Sequence, residues 1–156
     1  MNNVFAGKVS ASKGKDAAAR GVDVRLFTAE FAGEAVEDKL GRVREVVREH
    51  GAEGLLVTAL DDVCWLFNIR GADVACNPVV LAYAFVSEDG AELFVDGAKV
   101  PAEVSGALER SGVSVRPYAE ARARVAAFGG NVLLDPARSS EAAVACVWGG
   151  VVFLDE

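Results

Sequence analysis

Gly54-Leu-Leu-Val-Thr58 is apolar at every position before its closing threonine, so a strand built from it has no face to give to water. Directly before it, Val36, Leu40, Val43, Val46 and Val47 recur at spacings of three and four, which is one face of a helix. This predicts an amphipathic helix from Val36 to His50, with Gly51 where a C-terminal cap belongs. A one-faced helix running into a two-faced strand implies a sheet covered by helices.

The rest of the chain extends that pattern. Asp61 or Asp62 can cap a short helix running to about Asn68, because a carboxylate accepts the free N–H groups of a first turn. Val79 to Val86 and Ala91 to Asp96 flank the turn-like Ser87-Glu-Asp-Gly90 and predict an antiparallel hairpin. Helices are expected from Pro101 to about Arg110, from Ala119 to Phe128 and across Ser140 to Val147. Strands are expected at Val113 to Arg116, Asn131 to Asp135 and Val151 to Leu154. The fold class is therefore α/β, a three-layer sandwich on a mixed sheet.

At 156 residues, 52% apolar and 25% charged, the chain has room for one domain with a real core but not for two. No apolar run reaches the roughly 18 residues of a membrane span, and no secretory leader is visible, so a soluble cytoplasmic protein is expected. Cys64, Cys76 and Cys146 are odd in number and lack metal-knuckle spacing, which fits a reducing compartment. Cys64 and Cys76 stand among apolar residues and are expected to be buried small hydrophobes. Residues 1–25 hold five Lys or Arg against two Asp, so the net charge of -7 belongs to an acidic body. Such a body argues against nucleic acid as a partner, because phosphate neutralisation supplies most of that affinity.

The segment from Leu56 to Tyr83, LVTALDDVCWLFNIRGADVACNPVVLAY, packs two aspartates, a tryptophan, an Arg-Gly turn and an Asn-Pro turn between two apolar strands. It resembles the second N-terminal domain of the aminopeptidase P family, the Xaa-Pro aminopeptidases of the pita-bread metallopeptidases. Glu30-Phe-Ala-Gly33 and Glu37-Asp-Lys-Leu40 resemble that family's entry into the domain, and Asn131-Val-Leu-Leu-Asp-Pro136 with Ser139-Ser140 resembles a later, less specific piece. The resemblance implies a creatinase/prolidase N-terminal fold, similar to ribonuclease H, over residues 27–156. The family linker is absent from residues 1–26, which read as remnant linker or sequence foreign to the domain, and flexible.

The resemblance also implies where the chemistry resides. Family members hydrolyse the bond before proline with two divalent metal ions, manganese or zinc, held by two Asp, one His and two Glu of a C-terminal domain that this chain lacks. The single histidine, His50, falls at a helix end where a solvated or cationic residue is expected, and no phosphate loop or nucleophile elbow occurs. No catalytic or metal-binding residue is therefore assigned within the chain, and by itself it should be inactive. Its expected partners are its own catalytic domain and the parent's peptide substrate, with room for a homodimer. Arg70, Asp73 and Asn77 are the candidates for shaping the substrate cleft or a subunit contact. The architectural alternative pairs Arg70 with Asp73, uses Gly71 for an unusual backbone conformation and makes Asn77-Pro78 a turn. Trp65 and Phe67 read as core or interface anchors.

Two further readings remain open. The parent could be a pita-bread protein that has lost its ligands and binds peptides or proteins. Alternatively Asp61, Asp62, Asp96 and Asp135, all just after expected strands, could hold magnesium as in carboxylate nucleases.

Overall fold

The computed structural model describes residues 23–145, 147 and 150–154; Cys146 and residues 1–22 lie outside them. The chain begins with β1 (Arg25–Leu26) and a single helical turn, α1 (Ala29–Ala32), then α2 (Val36–Glu49) and β2 (Gly54–Val57). Helix α3 (Leu60–Leu66) leads to β3 (Ile69–Arg70) and, after a loop, to the hairpin β4 (Ala82–Ser87) and β5 (Ala91–Val95). There follow α4 (Ala102–Arg110), β6 (Val113–Pro117), α5 (Ala121–Ala126), β7 (Val132–Leu134), α6 (Glu141–Val144) and β8 (Val151–Phe153). Expected elements shorten by a residue or a turn at their ends, most clearly where Tyr118–Glu120 forms a 3-10 turn before α5.

Six strands form one mixed sheet in the order β6-β5-β4-β2-β7-β8. Strand β4 runs antiparallel to β2 and β5, while β5–β6, β2–β7 and β7–β8 are parallel, so β4 points against all its companions. Strand alternation sorts the core into two faces. Ala82, Ala84, Val86, Leu93 and Val95 face α2, α3 and α4, which contribute Leu40, Val63, Leu66, Val104 and Leu108. Phe85, Phe94, Leu56, Val132 and Leu134 face the other way, onto Ala121 and Val125 of α5 and Ala143 of α6. The three-layer α/β expectation holds.

The fold begins before Phe27, earlier than expected. Val24 is buried in the main core, and β1 pairs antiparallel with β3, Arg25 opposite Arg70 and Leu26 opposite Ile69. An apolar residue one position before a short strand pairing is a weak signal, and only the tertiary partner makes it visible.

One buried cation fastens the helices to this frame. Lys39 is 1% exposed, and its Nζ donates to the Trp65 carbonyl at 2.7 Å and to Asn68 Oδ1 at 2.6 Å. Trp65 O is one of the carbonyls that the short helix α3 leaves without an internal partner, and a cation there also suits the negative end of the helix dipole. Asn68, held by its side chain between Lys39 and the Glu34 carbonyl, adopts a left-handed φ of 51° that turns the chain out of α3 into β3. Burial pushes the Lys39 ammonium below the usual lysine range.

Gly71 has no positive φ, so the unusual backbone conformation expected of it is not what requires a glycine there. Its role is space: a Cβ there would lie 2.5 Å from Val80 Cγ2 and 3.2 Å from the Val79 carbonyl.

Lys39→Met keeps the apolar stem but removes the ammonium from Asn68 Oδ1 and leaves Trp65 O with only the long Asn68 amide contact at 3.4 Å and the cap amide of Phe67. It is expected to lower stability by about 2 to 3 kcal/mol, the range for hydrogen bonds to a charged group. Urea unfolding at constant m-value measures it.

Candidate functional site

The parallel strands β2 and β7 end side by side, and the segments that follow them carry Asp61, Asp62, Asp135 and Arg138. In open α/β sheets the crevice outside the carboxyl ends of parallel strands is where ligands commonly sit. Here β2 leads through Thr58 and Ala59 into α3, and β7 leads through Asp135 to Arg138. The Thr58 hydroxyl donates to the Arg138 carbonyl at 2.8 Å and locks the two loops together. The Arg138 guanidinium then forks across the first turn of α3, with Nη2 at 2.6 and 2.7 Å from the two oxygens of Asp61 and Nη1 at 3.0 Å from Asp62.

This corrects the expectation for the aspartates. Neither is the N-cap of α3; that position is Ala59, with no side-chain cap, and both carboxylates lie in the first helical turn facing Arg138. The hydrogen bond from Arg138 lowers the pKa of Asp61, whereas burial raises that of Asp62. Asp96 is elsewhere, accepting from Ala98 N to cap a 3-10 turn after β5. Among the described residues no group of three or more His, Cys, Asp or Glu is placed to hold a metal ion. The residues present do not fit a dinuclear centre, since the two adjacent carboxylates are already matched to a guanidinium. His50 Nδ1 lies 2.8 Å from the Val46 carbonyl at the end of α2.

Between the aspartate pair and the opposite end of α3 lies a groove. A cavity of about 180 Å³ is lined by Leu55, Val57, Asp62, Trp65 and Arg138 among others. Trp65 is 44% exposed, so of the two readings, core or interface anchor, the core one fails for it, whereas Phe67 is fully buried. The indole lies against Lys39 Nζ, 4.5 Å from the ring centroid, with the Arg42 guanidinium at 5.8 Å.

At the far end of α3 the three residues singled out in sequence separate. Arg70 donates through Nη1 to the Cys64 carbonyl at 3.3 Å and the Ile69 carbonyl at 2.8 Å, and its guanidinium stacks 4.5 Å over the Phe27 ring. It does not pair with Asp73. Asp73 instead takes the Lys99 ammonium at 2.6 Å and the Leu81 amide at 2.8 Å, with its side chain 6% exposed, and so staples the loop to the turn after β5. Asn77 is exposed and takes part through its backbone in a tight turn with Val74. Cys64 is buried as expected and its thiol pKa is raised by burial, but Cys76 is exposed with a φ of 61°. The Val74–Asn77 turn pushes Cys76 outward, and the apolar composition around it gave no sign of that.

Sequence reasoning missed Lys39 and Arg138. Lys39 stood within the quoted Glu37-Asp-Lys-Leu40 motif, and Arg138 between the two quoted pieces Asn131 to Pro136 and Ser139-Ser140. A lysine at a position one turn from Val36 and next to Leu40 on an apolar face was the available signal for the first.

The sequence profile of the creatinase/prolidase N-terminal domain family matches residues 16–153. Aminopeptidase P1 of Lotus japonicus is 49% identical over 88 residues, 56% of this chain and 13% of that protein. Aminopeptidase P2 of Arabidopsis thaliana is 36% identical over 116 residues, 72% of this chain and 16% of that protein. The chain thus spans about a sixth or less of the length of these curated relatives. Among solved structures, the X-prolyl aminopeptidase of Caenorhabditis elegans, described as a cytosolic enzyme with a di-nuclear active site, superimposes with a TM-score of 0.71. It is 28% identical, covering 74% of this chain and 20% of the nematode chain. The N-terminal domain of a cytoplasmic peptidase from Mycobacterium tuberculosis, at 16% identity and a TM-score of 0.52, shares the fold over 92% of its own length.

Two outcomes are expected from this geometry. Trp65→Ala should lower stability by about 1 to 2 kcal/mol, because a half-exposed ring with a cation against it carries less than the 3 to 5 kcal/mol of a core aromatic; urea unfolding measures the loss. Arg138→Gln should destabilise at neutral pH and not in strong acid. Asp61 has a folded pKa below its ordinary 3.8, so its contribution is complete above that value and is lost as pH falls through the folded one. At Asp62 burial raises the pKa but Arg138 lowers it, so losing the guanidinium removes a stabilising contact there as well and adds to the difference. Wild-type and variant urea midpoints should differ at pH 7 and converge as pH falls through the depressed folded pKa of Asp61.

Proposed function

The chain belongs to the creatinase/prolidase N-terminal domain family, in its aminopeptidase P branch, and from that premise we propose that it is the noncatalytic domain of a metal-dependent Xaa-Pro aminopeptidase. In this reading the parent removes an N-terminal residue that precedes proline, in the cytosol, with two divalent ions, manganese or zinc, held by residues outside this chain. The domain's contribution is to shape the substrate cleft from the segment that most resembles the family, Leu56 to Tyr83.

The observation that carries the reading is the state of Arg70. Its guanidinium is oriented by two backbone carbonyls and the Phe27 ring, and no carboxylate pairs with it among the described residues. A cation oriented in this way keeps donors for a carbonyl or carboxylate of a substrate or cleft loop without first breaking an ion pair. Asp73, by contrast, is fully engaged by Lys99 and the Leu81 amide, and its role is to hold the loop. Asn77 enters the proposal only as the exposed turn beside them.

The parent protein tests this. Arg70→Ala is expected to lower kcat/KM for an Xaa-Pro peptide by roughly 10- to 150-fold, the loss of one charge-assisted hydrogen bond worth about 1.5 to 3 kcal/mol. Its loss of stability in the isolated domain should be smaller. Arg70→Lys, which keeps the charge but not the forked geometry, should recover part of the efficiency. Wild-type kinetics together with a clearly lower urea midpoint would assign Arg70 to architecture alone. A parent that binds Xaa-Pro peptides without hydrolysing them would favour the reading of a binding module that has lost catalysis.

A further inference from the structure

Strand β2 is bonded on both sides, antiparallel to β4 and parallel to β7, a position at which an apolar side chain is ordinarily sealed. Leu55 and Val57 of this strand are nevertheless only half-buried. Their face of the sheet meets Val47 of α2 and Ala52 of the turn after it, and Leu55, Val152 and Leu154 remain only partly buried against them. Two adjoining cavities of about 180 and 140 Å³ open there and share Val43, Leu55, Trp65 and Leu154. Val46, 39% exposed on α2, extends the same apolar surface.

The groove has a prepared anchor and a charged rim. Trp65 stands at its centre with Lys39 against one side of the ring, so its position is set before any partner arrives. Exposed tryptophans so held are the residues that concentrate binding energy at protein interfaces. On the rim, Asp61, Asp62 and Asp135 face one guanidinium, that of Arg138, while Arg42 at the other cavity is already paired with Glu34. The surplus is negative, which suits a basic side chain and repels an acidic one.

We propose that this groove is the seat on which the remainder of the parent protein docks, through a segment that lays an apolar side chain against Trp65 and a basic side chain beside Asp62 and Asp135. The identity of that occupant rests on the aminopeptidase reading. More than four-fifths of the length of the relatives lies outside the part that matches this chain, so a large intramolecular partner is at hand. A tethered partner needs little intrinsic affinity, because the linkage supplies a high effective concentration. The face is distinct from the Arg70 loop: no residue between β3 and β4 lines either cavity.

Hydroxyl-radical footprinting read by mass spectrometry tests the assignment, with Trp65 oxidation followed in this chain alone and in the full-length parent. In the chain alone Trp65 should oxidise rapidly and at a rate independent of protein concentration. In the parent it should be protected several-fold, and the double variant Asp62→Asn, Asp135→Asn should lose much of that protection while Phe67, in the core, stays unoxidised in both. Equal oxidation of Trp65 in the chain and the parent would overturn the proposal. Protection that grows with the concentration of the isolated chain would overturn it in favour of a second copy, and protection indifferent to the double variant would remove the basic segment. Hydrolysis of an Xaa-Pro peptide, measured on the same parent samples, separates this from the functional reading. Activity with an unprotected Trp65 defeats the docking seat alone, and protection without activity defeats the peptidase reading alone.

Discussion

A single ammonium group, that of Lys39, holds the most sequence-distinctive part of this domain in place. It is removed from water and, among the described residues, no carboxylate lies within hydrogen-bonding reach; its direct partners are a helix-end carbonyl and an amide oxygen, with the Trp65 ring against it and the Glu34 charge further off. Burying a cation without a directly paired carboxylate is expensive, and the arrangement survives because several dipoles are aimed at one point. The depressed pKa of Lys39 is the trace of that expense. Through it α2 fixes the end of α3, the left-handed Asn68 and hence the direction in which β3 and Arg70 leave.

Helix α3 is the pivot between two surfaces. At seven residues it is too short to be stable by itself, and its ends are satisfied from outside. Its C-terminal carbonyls take Lys39 and Arg70, and its first turn carries two aspartates held by Arg138. Acid at the start and base at the end match the helix dipole at both termini. The Cys64 carbonyl that holds Arg70 and the Trp65 indole both belong to the end of α3, so the proposed cleft loop and the proposed docking face share one support.

The difference between Arg70 and Asp73 shows why residue type alone could not assign roles. Both are polar, three positions apart in an apolar neighbourhood, and pairing them was the economical expectation. The hairpin brings Lys99 from 26 residues away to Asp73, and the stronger, nearer partner wins. Arg70 is left to the backbone and the Phe27 ring, which orient it without neutralising it. A residue freed by someone else's ion pair cannot be recognised from its own surroundings in sequence.

What the sequence determined by itself was everything that depends on period and on punctuation. The 3.6-residue repeat of α2, the uninterrupted apolar run of β2, the hairpin around Ser87 to Gly90 and the alternation of helix with strand dictate a covered mixed sheet, because burial of those faces has no other economical solution. The family was legible too, from the Leu56 to Tyr83 segment, since a motif is a local string. Tertiary structure decided what depends on distance in space. It drew Val24 into the core, turned Trp65 and Cys76 outward, gave Gly71 a steric rather than a conformational reason, and set Arg138 against Asp61 and Asp62 across 77 and 76 positions of chain. Those outcomes follow from which side chain first satisfies a buried charge or fills a gap, and a pattern of neighbours along the chain carries no record of that competition.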